Sequence, residues 1–171
     1  ALTQEGLLGL LFAVLVILFF LRSWRATLVT AVSIPMSIMV AFVAMNATGY
    51  TLNLLTLGAL TIAIGRIVDD SIVVIENVER HLSYGKSRRR TIIDAVREVA
   101  GAITASTITT VVVFLPIALV GGMAGVLFQP FAFTVAIAMG ASLLVALTIV
   151  PVLAYWFLRA PATVKSVDEA Q

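Results

Sequence analysis

Residues 57–79 read LGALTIAIGRIVDDSIVVIENVE. The stretch is apolar and longer than the roughly 20 residues a membrane helix needs, yet it carries Arg66, Asp69 and Asp70 near its middle. One charge at the centre of a membrane helix costs about 2.5–3.5 kcal/mol on insertion scales, so this group requires a reason. At about 100° per residue, Asp69 projects about 60° to one side of Arg66 and Asp70 about 40° to the other. All three share one face, and that face must meet other helices or a wet cavity rather than lipid.

The rest of the chain fits a membrane reading. Of its 171 residues, 61% are hydrophobic and 12% charged, where a soluble domain carries roughly 25% charged residues. The apolar runs are continuous. A membrane barrel would alternate apolar and polar residues, so the runs read as helices. The chain has no cysteine, which excludes a disulfide framework and a thiolate metal site. It begins with Ala1, and Glu5 precedes the first apolar run with no basic stretch ahead of it. That opening does not read as a signal peptide; it reads as the start of a piece of a longer chain, or of a processed one.

Five spans are expected, at about 6–21, 26–47, 52–78, 101–120 and 126–158, forming one partial membrane domain over 1–158. The second contains Pro35, which membrane helices tolerate because neighbours satisfy the freed carbonyl. The fifth contains Pro130 and Pro151 and exceeds the length of one span, so part of it is expected in the interface. Asn46–Tyr50 and Gly121–Gly125 read as uncharged turns. Apolar residues at 92, 93, 96 and 99 make one stripe on a short amphipathic helix over 89–100, expected on the membrane surface. Residues 159–171 read as a polar tail.

Basic residues set the orientation. They cluster at Arg22 and Arg25, between Arg80 and Arg97, and in the tail at Arg159 and Lys165, whereas the turns after the second and fourth spans have none. The amino end is therefore expected outside and the carboxyl end in the cytoplasm. Arg88–Arg90 reads as an orientation signal that touches anionic lipid, and a nucleic-acid partner is not expected so close to a span. His81, the single histidine, reads as a solvated residue of the basic loop.

The buried charges admit two readings. They could form an inert ion cluster, but buried pairs stabilise poorly compared with apolar residues. The favoured reading is a proton or cation relay. Adjacent carboxylates beside a guanidinium can change protonation as their surroundings change, and one charge moved across the membrane is worth about 2.3 kcal/mol per 100 mV. Thr104, Ser106, Thr107, Thr109 and Thr110 form a hydroxyl-rich patch in the fourth span. Ordinary helix packing is the favoured account of that patch; the alternative is that Thr107 and Thr110 support the relay.

Gly65, Asp69, Asp70, Ser71, Ile72, Val73, Val74, Glu76 and Asn77 match a motif, G-x-x-x-DD-[AS]-I-V-V-x-E-N, in the fourth membrane helix of the resistance-nodulation-division efflux transporters. The chain resembles the hydrophobe/amphiphile multidrug branch of that family. Phe20–Arg22 with Arg25–Leu28, Pro35, Asn53–Thr56, Phe114–Pro116, Gly121–Gly122, Phe128–Phe131, Ser142–Leu147 and Pro151 extend the resemblance over nearly the whole chain, as helices two to six of about twelve. The resemblance implies an all-α integral membrane protein of the cell membrane that uses the proton gradient and no cofactor, with no enzyme activity. Asp69 and Asp70 would be the relay carboxylates of a drug/proton antiporter that expels amphiphiles and works as a homotrimer. The other half of the membrane domain and the extracytoplasmic porter domains would be its partners.

Arg66 departs from the better-known Gram-negative pattern, which has an apolar residue there, although relatives from Gram-positive bacteria can carry arginine. It is the expected counter-ion, in place of or beside a lysine the family supplies from its other half. The Asp69–Asp70 pair favours amphiphiles over the heavy-metal branch, which keeps one aspartate of the two. Two other readings compete. One is a membrane anchor or assembly module without transport. The other is an intramembrane aspartyl protease, which needs carboxylates facing each other, whereas adjacent helical residues diverge by about 100°.

Overall fold

The computed structural model describes residues 2–84 and 87–158. They form five helices, α1 (Leu2–Leu21), α2 (Trp24–Ala47), α3 (Leu54–Leu82), α4 (Arg88–Ala118) and α5 (Gly122–Phe157), with no strand among the described residues. The expected tail at 159–171 and Lys86 of the basic loop lie outside the described residues.

Each reversal has a local cause. Arg22 adopts a left-handed φ of 49°, a conformation that stops a helix, and its N–H still bonds Leu18 O at 2.9 Å. Ser23 then caps α2 by accepting from Ala26 N. Asn53 starts α3 with a capping box: its Oδ1 accepts from Leu55 N and Thr56 N, each at 2.9 Å. Its own N–H donates to Thr56 Oγ1 at 2.7 Å. Gly122, at φ 71°, opens α5. Gly125 packs one turn in, where an added Cβ would lie 2.0 Å from Val120 O.

Cross-helix bonds give the directions. Ser33 to Ser71 sets α2 against α3, while Arg66 to Ser106 and Asn77 to Ala95 set α3 against α4. Arg88 to Leu158 and Gln129 to Ala118 set α4 against α5. Each of these pairs is antiparallel, and α5 lies parallel to α3. One end of the bundle therefore collects Arg22, Trp24, Arg25, Arg80 and Arg88–Arg90, and the other carries the uncharged turns.

Two apolar clusters fill the interior. One, towards the basic end, includes Ala26, Val78, Leu82, Ile92, Val150 and Ala154. The other includes Ala41, Met45, Ala59, Leu60, Val135 and Ala138. Small residues in both allow close helix approach, the usual route to association where lipid removes the hydrophobic drive. The outer face is apolar as well, with Phe12, Phe19, Val43, Val113 and Val126 all exposed. Among the described residues, α2, α4 and α5 are each long and apolar enough to cross a membrane, and α3 is as long but holds the three mid-helix charges.

Two expectations change. The amphipathic segment at 89–100 is not a separate helix. It runs without a break into the fourth span as α4, through Gly101, because no proline stands between the two and Gly101 keeps a helical rather than a left-handed backbone. Its inner stripe is Thr91, Ile92 and Ala95, packed on the bundle, and Ile93 faces out. The turn expected at 121–125 is shorter, since helix resumes at Gly122.

Candidate functional site

The two apolar clusters meet at a layer of polar side chains. Ser33, Ser37, Asp70, Ser71, Thr107 and Ser142 are all buried there. Asp70 is 3% exposed. Ser142 of α5 donates to its Oδ2 at 2.9 Å, and Arg66 Nη2 lies 3.5 Å from its Oδ1. The same Arg66 nitrogen donates to Ser106 Oγ of α4 at 2.7 Å. One turn of α3 thus holds a carboxylate bound from α5 and a guanidinium bound to α4. Directly beside Asp70, Ser71 Oγ lies 2.6 Å from Ser33 Oγ of α2, which pins the rotation of α3.

Asp69 is placed differently. It is exposed, on an uncovered stripe of α3 with Ile62, Gly65, Val73, Glu76 and Arg80, and it forms no hydrogen bond or ion pair among the described residues. Arg66, with its side chain 30% exposed, sits between the two environments. The sequence reading placed all three on one face, and the structure divides that face: Asp70 lies at its inner edge and Asp69 at its outer edge.

The hydroxyl patch is also resolved. Ser106, rather than Thr107 or Thr110, meets Arg66. Thr110 Oγ1 donates to its own helix at Ser106 O (2.9 Å) and Thr109 does the same at Ala105 O (2.8 Å), which is the packing account. Thr107 Oγ1 is buried without a hydrogen-bond partner among the described residues, as is Arg66 Nε. Ser142 was not singled out as a site residue, because one serine in an apolar helix carries no spacing signal.

A second polar cluster ties α3 to α4 at the basic end. Asn77 Nδ2 donates to Ala95 O (2.7 Å) and to Glu98 Oε2 (3.2 Å). Arg80 Nη2 donates to Asn77 Oδ1 (2.6 Å) and to Glu98 Oε1 (2.9 Å). His81 Nε2 lies 3.2 Å from Glu98 Oε2. The hydrogen bonds from Asn77 and Arg80 hold the Glu98 carboxyl below its usual range. His81 is therefore a half-buried member of this cluster and not a solvated loop residue.

An all-helical domain with a carboxylate and a guanidinium in the middle of its apolar helices has the architecture of a multi-pass membrane protein. Comparison with known proteins gives the family. The AcrB/AcrD/AcrF family matches residues 1–167, and the chain belongs to that family of resistance-nodulation-division transporters. It is similar to the swarming motility protein SwrC of Bacillus subtilis, with 47% identity over 158 residues, 89% of this chain and 15% of the relative. It is also similar to the multidrug resistance protein MdtC of Escherichia coli K12, with 44% identity over 157 residues, 92% of this chain and 15% of the relative. MdtC of Cronobacter sakazakii is 46% identical over 147 residues, 86% of this chain and 14% of the relative. The chain thus spans about 15% of the length of the relatives it matches.

Proposed function

We propose that this chain forms the proton-handling part of a proton-motive-force-driven multidrug efflux transporter, with Asp69 and Asp70 as the relay. One observation carries the reading: adjacent carboxylates on α3 occupy opposite environments, Asp70 enclosed by Ser142 and Arg66 and Asp69 open on the outer stripe. A proton moving between them passes between a side chain that faces out of this helix bundle and one enclosed within it, and Arg66 neutralises Asp70 when that carboxylate is charged. Ser106 keeps that guanidinium at the level of Asp70. Thr107, whose buried hydroxyl has no partner among the described residues, is a further relay support; Thr110 is committed to its own helix.

The uncovered Asp69 stripe cannot face lipid, which supports a partner helix from the remaining half of the membrane domain. Extracytoplasmic porter domains, a homotrimeric assembly and an amphiphilic substrate complete the proposal. The location is the cytoplasmic membrane, with the basic end of the bundle in the cytoplasm by the positive-inside rule.

The test replaces each carboxylate singly in the full-length transporter, as Asp69→Asn and Asp70→Asn. Drug-coupled proton flux is read in proteoliposomes with a pH-sensitive dye. Each variant should bind drug but lose coupled flux, and Arg66→Leu should depress it. Full flux in either aspartate variant refutes the relay and leaves an anchoring or assembly role.

A further inference from the structure

We infer that the junction between the start of α4 and the end of α5 is a seat for one anionic phospholipid. A groove of about 430 Å3 lies there, lined by Arg89, Ile92, Ile93, Pro151, Val152 and Tyr155. Its volume falls in the range of about 300–1,000 Å3 typical of small-molecule sites. Its floor is apolar and open, with Ile93 41% and Val152 56% exposed.

The rim is cationic. Arg89 is exposed and forms no ion pair among the described residues, so its guanidinium can take a phosphate through paired N–H donors. Its neighbour Arg88 is committed elsewhere. The Arg88 side chain donates to Leu158 O and lies 5.0 Å from the centre of the Tyr155 ring. That bond ties the two helix ends together and fixes the aromatic wall, so the groove is preformed. The depth is right for a lipid headgroup. Trp156, 74% exposed, stands beside Tyr155 at the end of α5, the pairing that marks a membrane–water interface.

An apolar floor with a cationic rim at that depth matches an acyl chain below a negative headgroup. A zwitterionic lipid would offer the same chain without the net charge. The preference for an anionic lipid should be about fivefold, the ratio given by about 1 kcal/mol per basic residue near an anionic surface.

Residues 1–171 contribute no cysteine, so Ile93→Cys, placed in the full-length transporter on a cysteine-free background, gives a single reporter in the groove. Its maleimide labelling rate is compared in nanodiscs of phosphatidylcholine alone and of phosphatidylcholine with phosphatidylglycerol. Labelling should slow about fivefold with phosphatidylglycerol. Arg89→Ser should abolish the difference, and Arg25→Ser, at the same end of the bundle but away from the groove, should preserve it. Three results overturn the assignment. Equal rates in the two nanodiscs would show no preference. An equal loss in Arg25→Ser would make the effect one of diffuse charge. Equal protection in lipid-free detergent would mean that shielding of the groove needs no anionic headgroup.

Discussion

Ser142→Ala removes the one side chain among the described residues that hydrogen-bonds Asp70. The bond is 2.9 Å long, and its partners are 1% and 3% exposed, so water cannot replace the lost donor without repacking. Hydrogen bonds to charged groups contribute about 1.5–3 kcal/mol, whereas side-chain pairs inside membranes average about 0.6 and reach about 1.7 kcal/mol. Enclosure on both sides and a carboxylate acceptor place this pair near the top of the membrane range, at about 1.5 kcal/mol, or roughly tenfold in the folded-to-unfolded ratio. The perturbation is best read as a double-mutant cycle with Asp70→Ala, which leaves Ser142 no acceptor, by unfolding in mixed detergent micelles followed by circular dichroism. The coupling should be about 1.5 kcal/mol. A result additive to within about 0.5 kcal/mol, as expected of independent sites, would refute the inference that Ser142 holds the carboxylate.

Other expectations follow from the caps, turns and polar ties. Gly125→Ala would place a Cβ 2.0 Å from Val120 O and should cost about 1–3 kcal/mol in the same unfolding assay, as overpacking does. Asn53→Ala removes both cap bonds at the start of α3 and should cost about 1 kcal/mol, read as a lower Tm. The Glu98 carboxyl is held below its ordinary value. Its stabilising contribution is therefore complete above the unfolded value of about 4.3 and is lost as pH falls through the lower folded value. Protection from hydrogen exchange over residues 92–98, corrected for intrinsic rate, should fall on acidification below about pH 4. Glu98→Gln should show the weaker protection already at pH 7.

Much of this was legible before any coordinates. Apolar runs broken by Arg22-Ser23, Asn46–Tyr50, the basic loop and the glycine turn after residue 120 marked five helices, because length and hydropathy dominate in lipid. Helical angles placed Arg66, Asp69 and Asp70 together, but an angle is relative. Which edge of the arc turned inward depended on where α2 and α5 packed, and no local pattern carries that. The hydroxyl patch illustrates the same limit. Its threonines can satisfy themselves on their own helix, as Thr109 and Thr110 do, so spacing alone could not single out Ser106 as the residue that reaches Arg66. The break expected after residue 100 failed for a different reason. An amphipathic stripe reports burial on one side, and a helix that leaves the bilayer while still packed on its neighbours produces the same stripe.

The bond between Ser142 and Asp70 joins residues 72 positions apart, whereas Ser33, which secures Ser71, precedes it by 38. Ribosomes add about 5–20 residues per second, so Asp70 waits about 4–14 s after its own synthesis before Ser142 exists. During that interval α3 must hold its charges with α2 already docked and α5 absent. The polar layer around Asp70 therefore stays open on one side until α5 is made and docks.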